Sequence, residues 1–347
     1  MSKLAPYISV VVSGRNDNYG EDFTLRIQNQ ITWLGMLAEK YELPIEYVLV
    51  NYNPIENKAS LRETLKWPTN NHFSVLQVTV PSELHETFID SQVRKTLPLF
   101  EFIAKNAGIK RCTAPFILTT NADILFHPKL IEKLAKRTLD KDTLYRTDRI
   151  DHHYKSRFED SLNSYLCEMD KSVFKYFLKG GTYEFSSFRP RLKTLQTWHK
   201  WITLPLKRLL KSSADIASIT GLRINLISPE TLEHCNASGD FLLAHRDQYH
   251  SLRGFPEDTY ISTHTDSIMV YKFIHGGLKV HEFSEPVYHA DHERRFKFDT
   301  PLGDPDMAKM YRRLQLEIET MARNKKPTLF NDENWGMNGH ELQIDNW

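Results

Sequence analysis

No window of this sequence strings together the roughly 20 apolar residues that a membrane-spanning helix needs. The first stretch, MSKLAPYISVVVSGRNDNYG, holds only a short apolar run and no small-residue cleavage site, so neither a span nor a signal peptide is expected. Cysteine is scarce: Cys112, Cys167 and Cys235 lie far apart, form no CxxC pair and are odd in number. That excludes a disulfide framework and a zinc knuckle, and it fits a reducing compartment. An excess of either charge is missing too. A formal net charge of +1 over 347 residues argues against whole-surface binding of nucleic acid, and no nucleic-acid partner is expected. There is no internal repeat and no low-complexity tract. A globular chain, soluble or peripheral to a membrane and cytoplasmic, is the expectation, and its 40% of hydrophobic residues can fill a sizeable core.

Periodicity places the elements. Ile8 to Val12 is a β-branched run closed by Ser13-Gly14, as in a buried parallel strand. FTLRIQNQITWLGMLAEK, 23–40, spaces Phe23, Ile27, Ile31, Leu34 and Leu37 on one helical face. IEYVLVNYNP and FSVLQVTVP read as two more strands, each ended by proline, 92–107 as a helix, and PFILTT as a fourth strand. This alternation predicts an α/β fold with a mostly parallel, Rossmann-like central sheet flanked by helices. In such sheets ligands sit beyond the carboxyl ends of the strands. SGRNDN, NYNP and TNAD each follow a strand directly and are expected to share one crevice. Further on, GDFLLAHRDQYHSLRGFPE predicts a strand, a short helix and a Gly-Phe-Pro turn. A helix near 266–275 and a helical tail from Pro305 to Arg323 complete the pattern.

The segment 180–225 breaks the rhythm and is expected to be a helical insertion. From Ser186 to Ala214 there is no acidic residue, while Arg189, Arg191, Lys193, Lys200, Lys207, Arg208 and Lys211 are mixed with Trp198, Trp201 and leucines. The composition suits peripheral contact with an anionic membrane surface or a lipid-linked diphosphate acceptor. The plainer reading, a helical hairpin with its tryptophans packed inward and a solvated basic face, accounts for the same residues and comes first.

Asn121 and Asp123, two apart at the end of the fourth strand, resemble the Asp-x-Asp element of GT-A glycosyltransferases. AKNAGIKRCTAPFILTTNADILF is similar to the stretch of family 2-like members in which an Asn-x-Gly-Ile helix precedes the acidic motif, Asn106 to Ile109 standing in those places. GDFLLAHRDQYHSLRGFPEDTYISTHTDSIMVYK resembles the acceptor half of the galactosyltransferase-like branch, where a Gly-Phe-Pro turn precedes an acidic residue, here Asp266. PVYHADH offers His289 and His292 where relatives supply a metal-binding histidine. The resemblance spans about residues 7–295. It implies a nucleotide-sugar half over 1–150, an acceptor half over 151–300 and a tail over 301–347.

The implied chemistry is transfer of a sugar, from a UDP-sugar in the commonest case, to a glycan or lipid-linked acceptor. Negative charge develops on the departing diphosphate, and Mn²⁺ or Mg²⁺ held by Asp123 with His289 and His292 would neutralise it. Asp266 would take the acceptor proton as general base, giving inversion. Ser13, Arg15, Asp17, Asn51, Asn106, Asn121 and Asp123 are the expected donor-site residues, Arg15 by forking onto a phosphate. Asp240 and His264 are expected on the acceptor side, and Arg294 and Arg295 near phosphate.

Two positions depart from the pattern, because Asn121 and Asn51 stand where acids are usual. Each candidate also has a plainer role: Asp123 as a helix cap, RNDN and Asn51 as turn residues, Asp240 in a Gly-Asp turn, Asp266 as a first-turn acid. Three other functions compete. RIDHHYK carries the Asp-His-His of two-metal phosphoesterases, but the acid-rich motifs those enzymes need are absent. A sugar nucleotidyltransferase would need a glycine-rich loop that SGRN does not supply. A non-catalytic carbohydrate-binding protein would need neither metal pocket nor base.

Overall fold

A computed structural model describes residues 3–88, 97–159, 161–179, 181–184, 233–259, 261–292 and 305–347. The first half runs β1 (Ile8–Gly14), α1 (Phe23–Lys40), β2 (Ile45–Tyr52), α2 (Leu61–Thr64), β3 (Phe73–Val80), α3 (Ser82–Thr87), α4 (Glu101–Ile109) and β4 (Phe116–Thr119). It continues with β5 (Ile124–Phe126), α5 (Pro128–Ala135), β6 (Thr143–Arg146), β7 (Arg149–His152), α6 (Leu162–Lys171), β8 (Val173–Leu178) and β9 (Gly181–Glu184). After the basic stretch come β10 (Leu242–His245), α7 (Arg246–Ser251), α8 (Thr265–His275), β11 (Lys279–Glu282), β12 (Val287–Ala290), α9 (Pro305–Asn324) and β13 (Gln343–Asn346).

The β-branched run of β1 is central because both its faces can be covered. Ile8, Val10 and Val12 pack with Ile27, Ile31 and Leu34 of α1, while Val11 packs on the other side with Ile103 and Ala107 of α4. Parallel ladders join β1 to β2, β1 to β4 and β2 to β3. The sheet has eight strands in the order β11-β6-β10-β4-β1-β2-β3-β13. The expected α/β class holds, with the parallel part at the centre. Gly108 lets α4 lie close on this sheet: a Cβ there would sit 2.8 Å from both Val11 and Val50 side chains, nearer than side-chain carbons tolerate.

Three local expectations are corrected. The helix read over 92–107 begins at Glu101 and ends at Ile109, residues 92–96 lying outside the described ones. The tail is not only helical, since β13 returns to pair antiparallel with β3; its QIDN sequence alternates too briefly to announce a strand. A second sheet, β5-β12-β7-β8-β9, was not foreseen, because most of its strands are only three or four residues long and β12 joins β5 and β7 from more than 130 residues later. The basic stretch 186–214, Arg294 and Arg295 lie outside the described residues. No helix among the described residues is long and apolar enough to cross a membrane.

Candidate functional site

The acidic motif sits where the chain changes sheets. β4 ends in the eight-stranded sheet at Thr119 and β5 begins in the five-stranded one at Ile124, so Thr120 to Asp123 crosses between them. Strand register then delivers the histidines. β12 runs antiparallel to β5 with His289 opposite Ile124, and parallel to β7 with His289 opposite Asp151. His289 Nε2 therefore lies 3.6 Å from Asp123 Oδ2, and its Nδ1 faces Asp151 Oδ1 at 3.4 Å. His292, just past β12, brings Nε2 to 3.0 Å from the same Asp123 oxygen. One ligand atom from each of Asp123, His289 and His292 fits within 4.8 Å of the others.

Charge and burial at Asp123 suit a cation. Burial alone would raise its pKa, but the neighbouring His289, His292 and Arg26 outweigh that and hold the carboxyl well below its usual range. Arg26 on α1 donates from Nη1 to Oδ2 at 2.7 Å. The other oxygen, Oδ1, is buried with no hydrogen-bond partner among the described residues. A buried, ionised, half-satisfied carboxylate beside two imidazoles is a donor set that Mn²⁺ accepts. Asp151 stands behind His289 as a ligand-orienting carboxylate would. On β7 the alternation of faces separates the Asp-His-His run. Asp151 turns toward this site, whereas His152 is buried, with burial pushing its imidazole down to about 3.

A cavity of about 410 Å³ opens on Asp123, His289 and His292, and Ser13, Arg15 and Asp17 line it as expected. These three lie where β1 ends and the chain turns through left-handed residues Asn18, Gly20 and Glu21. Arg15 is pinned by Nε to the Asn53 carbonyl at 2.6 Å and by Nη1 to Asp17 at 3.1 Å, which aims its fork along one wall. A second hollow of about 720 Å³ holds His264 and Asp266, and it shares Glu101, Asn121, Arg149, Asp240 and His292 with the first. Asp123 and Asp266 thus border adjoining spaces.

The shared wall is a polar lattice. Lys105, fully buried on α4, donates from Nζ to Glu101 Oε1 at 2.8 Å and to Asn121 Oδ1 at 2.7 Å. Asn121 Nδ2 donates to Asp240 Oδ1 at 2.8 Å, and Arg149 Nη1 to Asp240 Oδ2 at 2.6 Å. Asn121 and Asp240 border the cavity, but their side chains are engaged with each other. Asp266 accepts from Ser238 Oγ at 2.8 Å and Gly239 N at 2.7 Å through Oδ2, and from Ser267 N at 2.9 Å through Oδ1. His264, left-handed at φ 61°, precedes α8, and burial lowers its pKa.

Two expected donor-site residues are placed elsewhere. Asn106 is fully buried, accepting from Phe255 N and donating to Phe255 O, both at 2.8 Å, and to Glu257 at 2.9 Å. It holds the Gly-Phe-Pro turn against α4 and does not line either hollow. Asn51 is buried in β2 and is likewise outside their linings. Conversely, Arg26, Lys105 and Arg149 were missed. The available signal for Arg26 was its place beside Ile27 on the apolar stripe of α1, where an exposed arginine does not belong.

No family model and no curated protein matches the sequence. Among solved structures, the fold is similar to a crystal structure of S. aureus TarS 1-349 (TM-score 0.46, 12% identity, covering 95% of this chain and 68% of that one). The same TarS fragment in complex with UDP gives a TM-score of 0.44 at 11% identity, with 95% of this chain and 68% of that one covered. A crystal structure of GalNAc-T7 with UDP, GalNAc and Mn2+ gives 0.44 at 12% identity, with 94% of this chain covered and about half, 53%, of that chain.

Proposed function

We propose that this chain is a GT-A glycosyltransferase that moves a sugar from a nucleoside-diphosphate donor, a UDP-sugar in the first instance, to a glycan or lipid-linked hydroxyl. The observation that carries the reading is the convergence of Asp123, His289 and His292 on the cavity that Arg15 and Asp17 line. Asp123, His289 and His292 would hold Mn²⁺ or Mg²⁺, which when bound neutralises charge on the departing diphosphate. Arg15 offers the diphosphate a second, fixed positive charge from the end of β1. Ser13 and Asp17 border the same space and supply hydroxyl and carboxylate partners for the nucleoside.

Asp266 is the proposed general base. It borders the adjoining hollow, and a base there that takes the proton of an acceptor attacking opposite the leaving group would give inversion at the anomeric carbon. Its hydrogen bonds from Ser238, Gly239 and Ser267 fix the orientation of the carboxylate at the edge of that hollow. Donor hydrolysis with a panel of nucleotide sugars, with and without Mn²⁺, tests the proposal. Metal-stimulated release of a nucleoside diphosphate from one donor is expected. Absence of release from every donor, together with no protection of the fold by UDP and Mn²⁺, overturns it.

A further inference from the structure

Arg26 spends three of its donors on the wall of the candidate metal site. Nε donates to Asp22 Oδ1, Nη2 to the Tyr19 carbonyl and Nη1 to Asp123 Oδ2, each at 2.7 Å. The side chain is 5% exposed. A buried unit charge therefore rests in contact with the only carboxylate of the Asp123–His289–His292 set. A guanidinium does not lose its proton in proteins, so this charge persists when a divalent ion arrives. Between charges roughly 4 to 5 Å apart in a partly buried site, repulsion is far stronger than in water.

We propose that Arg26 is a positioning residue that acts as a built-in counter-cation of the metal site. It keeps Asp123 aimed at the cavity without metal, and it lowers the affinity for a free divalent ion. The ion is then held firmly only when a diphosphate brings compensating negative charge. This rests on the metal and donor reading given above. It adds that one α1 arginine, rather than the ligands alone, sets how the two bind together. A purely structural arginine predicts the opposite sign, because its loss would disorder Tyr19, Asp22 and Asp123 and weaken the ion.

Electron paramagnetic resonance of free Mn²⁺, titrated with the full chain and no nucleotide, separates the two. Arg26→Gln keeps hydrogen-bonding capacity without charge and is expected to tighten Mn²⁺ by about tenfold, the cost of a modest like-charge contact. Arg26→Lys is expected to stay within about threefold of wild type. Asp22→Asn removes the anion that partly neutralises Arg26 and is expected to weaken Mn²⁺. UDP should tighten Mn²⁺ more in wild type than in Arg26→Gln. Unchanged or weaker binding by folded Arg26→Gln overturns the proposal while leaving the metal reading intact. No binding by wild type and Arg26→Gln, with or without UDP, overturns the metal reading and the proposal with it. Should Arg26→Gln fail to fold by circular dichroism, Asp22→Asn decides: unchanged or tighter binding overturns the proposal.

Discussion

His292 Nε2 lies 3.0 Å from Asp123 Oδ2, the oxygen that also accepts from Arg26. Removing either partner of this contact should abolish tight Mn²⁺ binding, but with different costs to the fold. His292→Ala deletes one of the three proposed ligands. Mn²⁺ affinity is expected to fall by about a hundredfold or more, beyond what loss of an outer-shell partner brings, with little change in stability. Asp123→Asn removes the counter-charge of a buried guanidinium and should also cost about 3 kcal/mol, partly relieved because Asp22 still holds Arg26. Isothermal titration with Mn²⁺ and urea unfolding of both variants measure the difference. Equal stability of the two would show that Arg26 does not depend on Asp123.

Asn106→Ala should damage the fold and spare the metal site. The carboxamide is fully buried and joins α4 to Phe255 and Glu257 by three hydrogen bonds. Deleting it leaves the Phe255 N–H without its partner beside a small void, a loss of about 2–3 kcal/mol. Mn²⁺ affinity of the folded variant is expected to match wild type. A weakened ion with unchanged urea midpoint would return Asn106 to the donor site.

Lys272 gives the fold a pH dependence. Its ammonium is fully buried on α8, bonded to the Gly254 carbonyl at 2.5 Å. Burial, partly offset by Glu257 and Asp258, lowers its pKa from 10.5 to about 7. Between those values the unfolded chain binds a proton that the folded chain does not, so this group makes stability rise with pH from about 7 to 10.5. Below the window both states carry the charge and the burial penalty is fully present. Lys272→Met should therefore exceed wild type in thermal midpoint most at pH 6 to 7, the gap closing toward pH 10. A gap that stays constant across that range would mean that Lys272 is not the titrating group.

What the sequence made legible follows how local each signal is. Strands β1 to β4 and helix α1 are carried by runs and stripes in contiguous residues, and Phe23 to Lys40 was read to the residue. Asp123, His289 and His292 were also within reach, because order of motifs along the chain preserves the order of strands. Arg26, Lys105 and Arg149 were not, because what makes them functional candidates is burial against partners distant in sequence, 16 residues away in the Lys105–Asn121 pair and 97 in the Arg26–Asp123 pair. Asn106 misled for the same reason. The resemblance of its motif implied a donor-site role, but its partners, Phe255 and Glu257, come from a turn about 150 residues later.

Restoring the usual acid at position 121 should harm this protein. In an isolated motif, Asn121→Asp would add a metal-binding carboxylate. Here the carboxamide is oriented by two neighbours of fixed character: Lys105 can only donate to Oδ1, at 2.7 Å, and the Asp240 carboxylate can only accept from Nδ2, at 2.8 Å. An aspartate satisfies Lys105 but sets two carboxylates face to face where a hydrogen bond had been. One of them must protonate or turn away, pulling Arg149 from its 2.6 Å contact with Asp240. The expected result is a loss of about 1–3 kcal/mol in stability with lower metal-stimulated donor hydrolysis, if the proposed activity holds, and no gain in Mn²⁺ affinity. Adding Asp240→Asn to Asn121→Asp restores a donor opposite the new acid and should recover much of the stability. Tighter Mn²⁺ in the single variant, without loss of stability, would show that Asn121 is a ligand position held in reserve rather than a strut between Lys105 and Asp240.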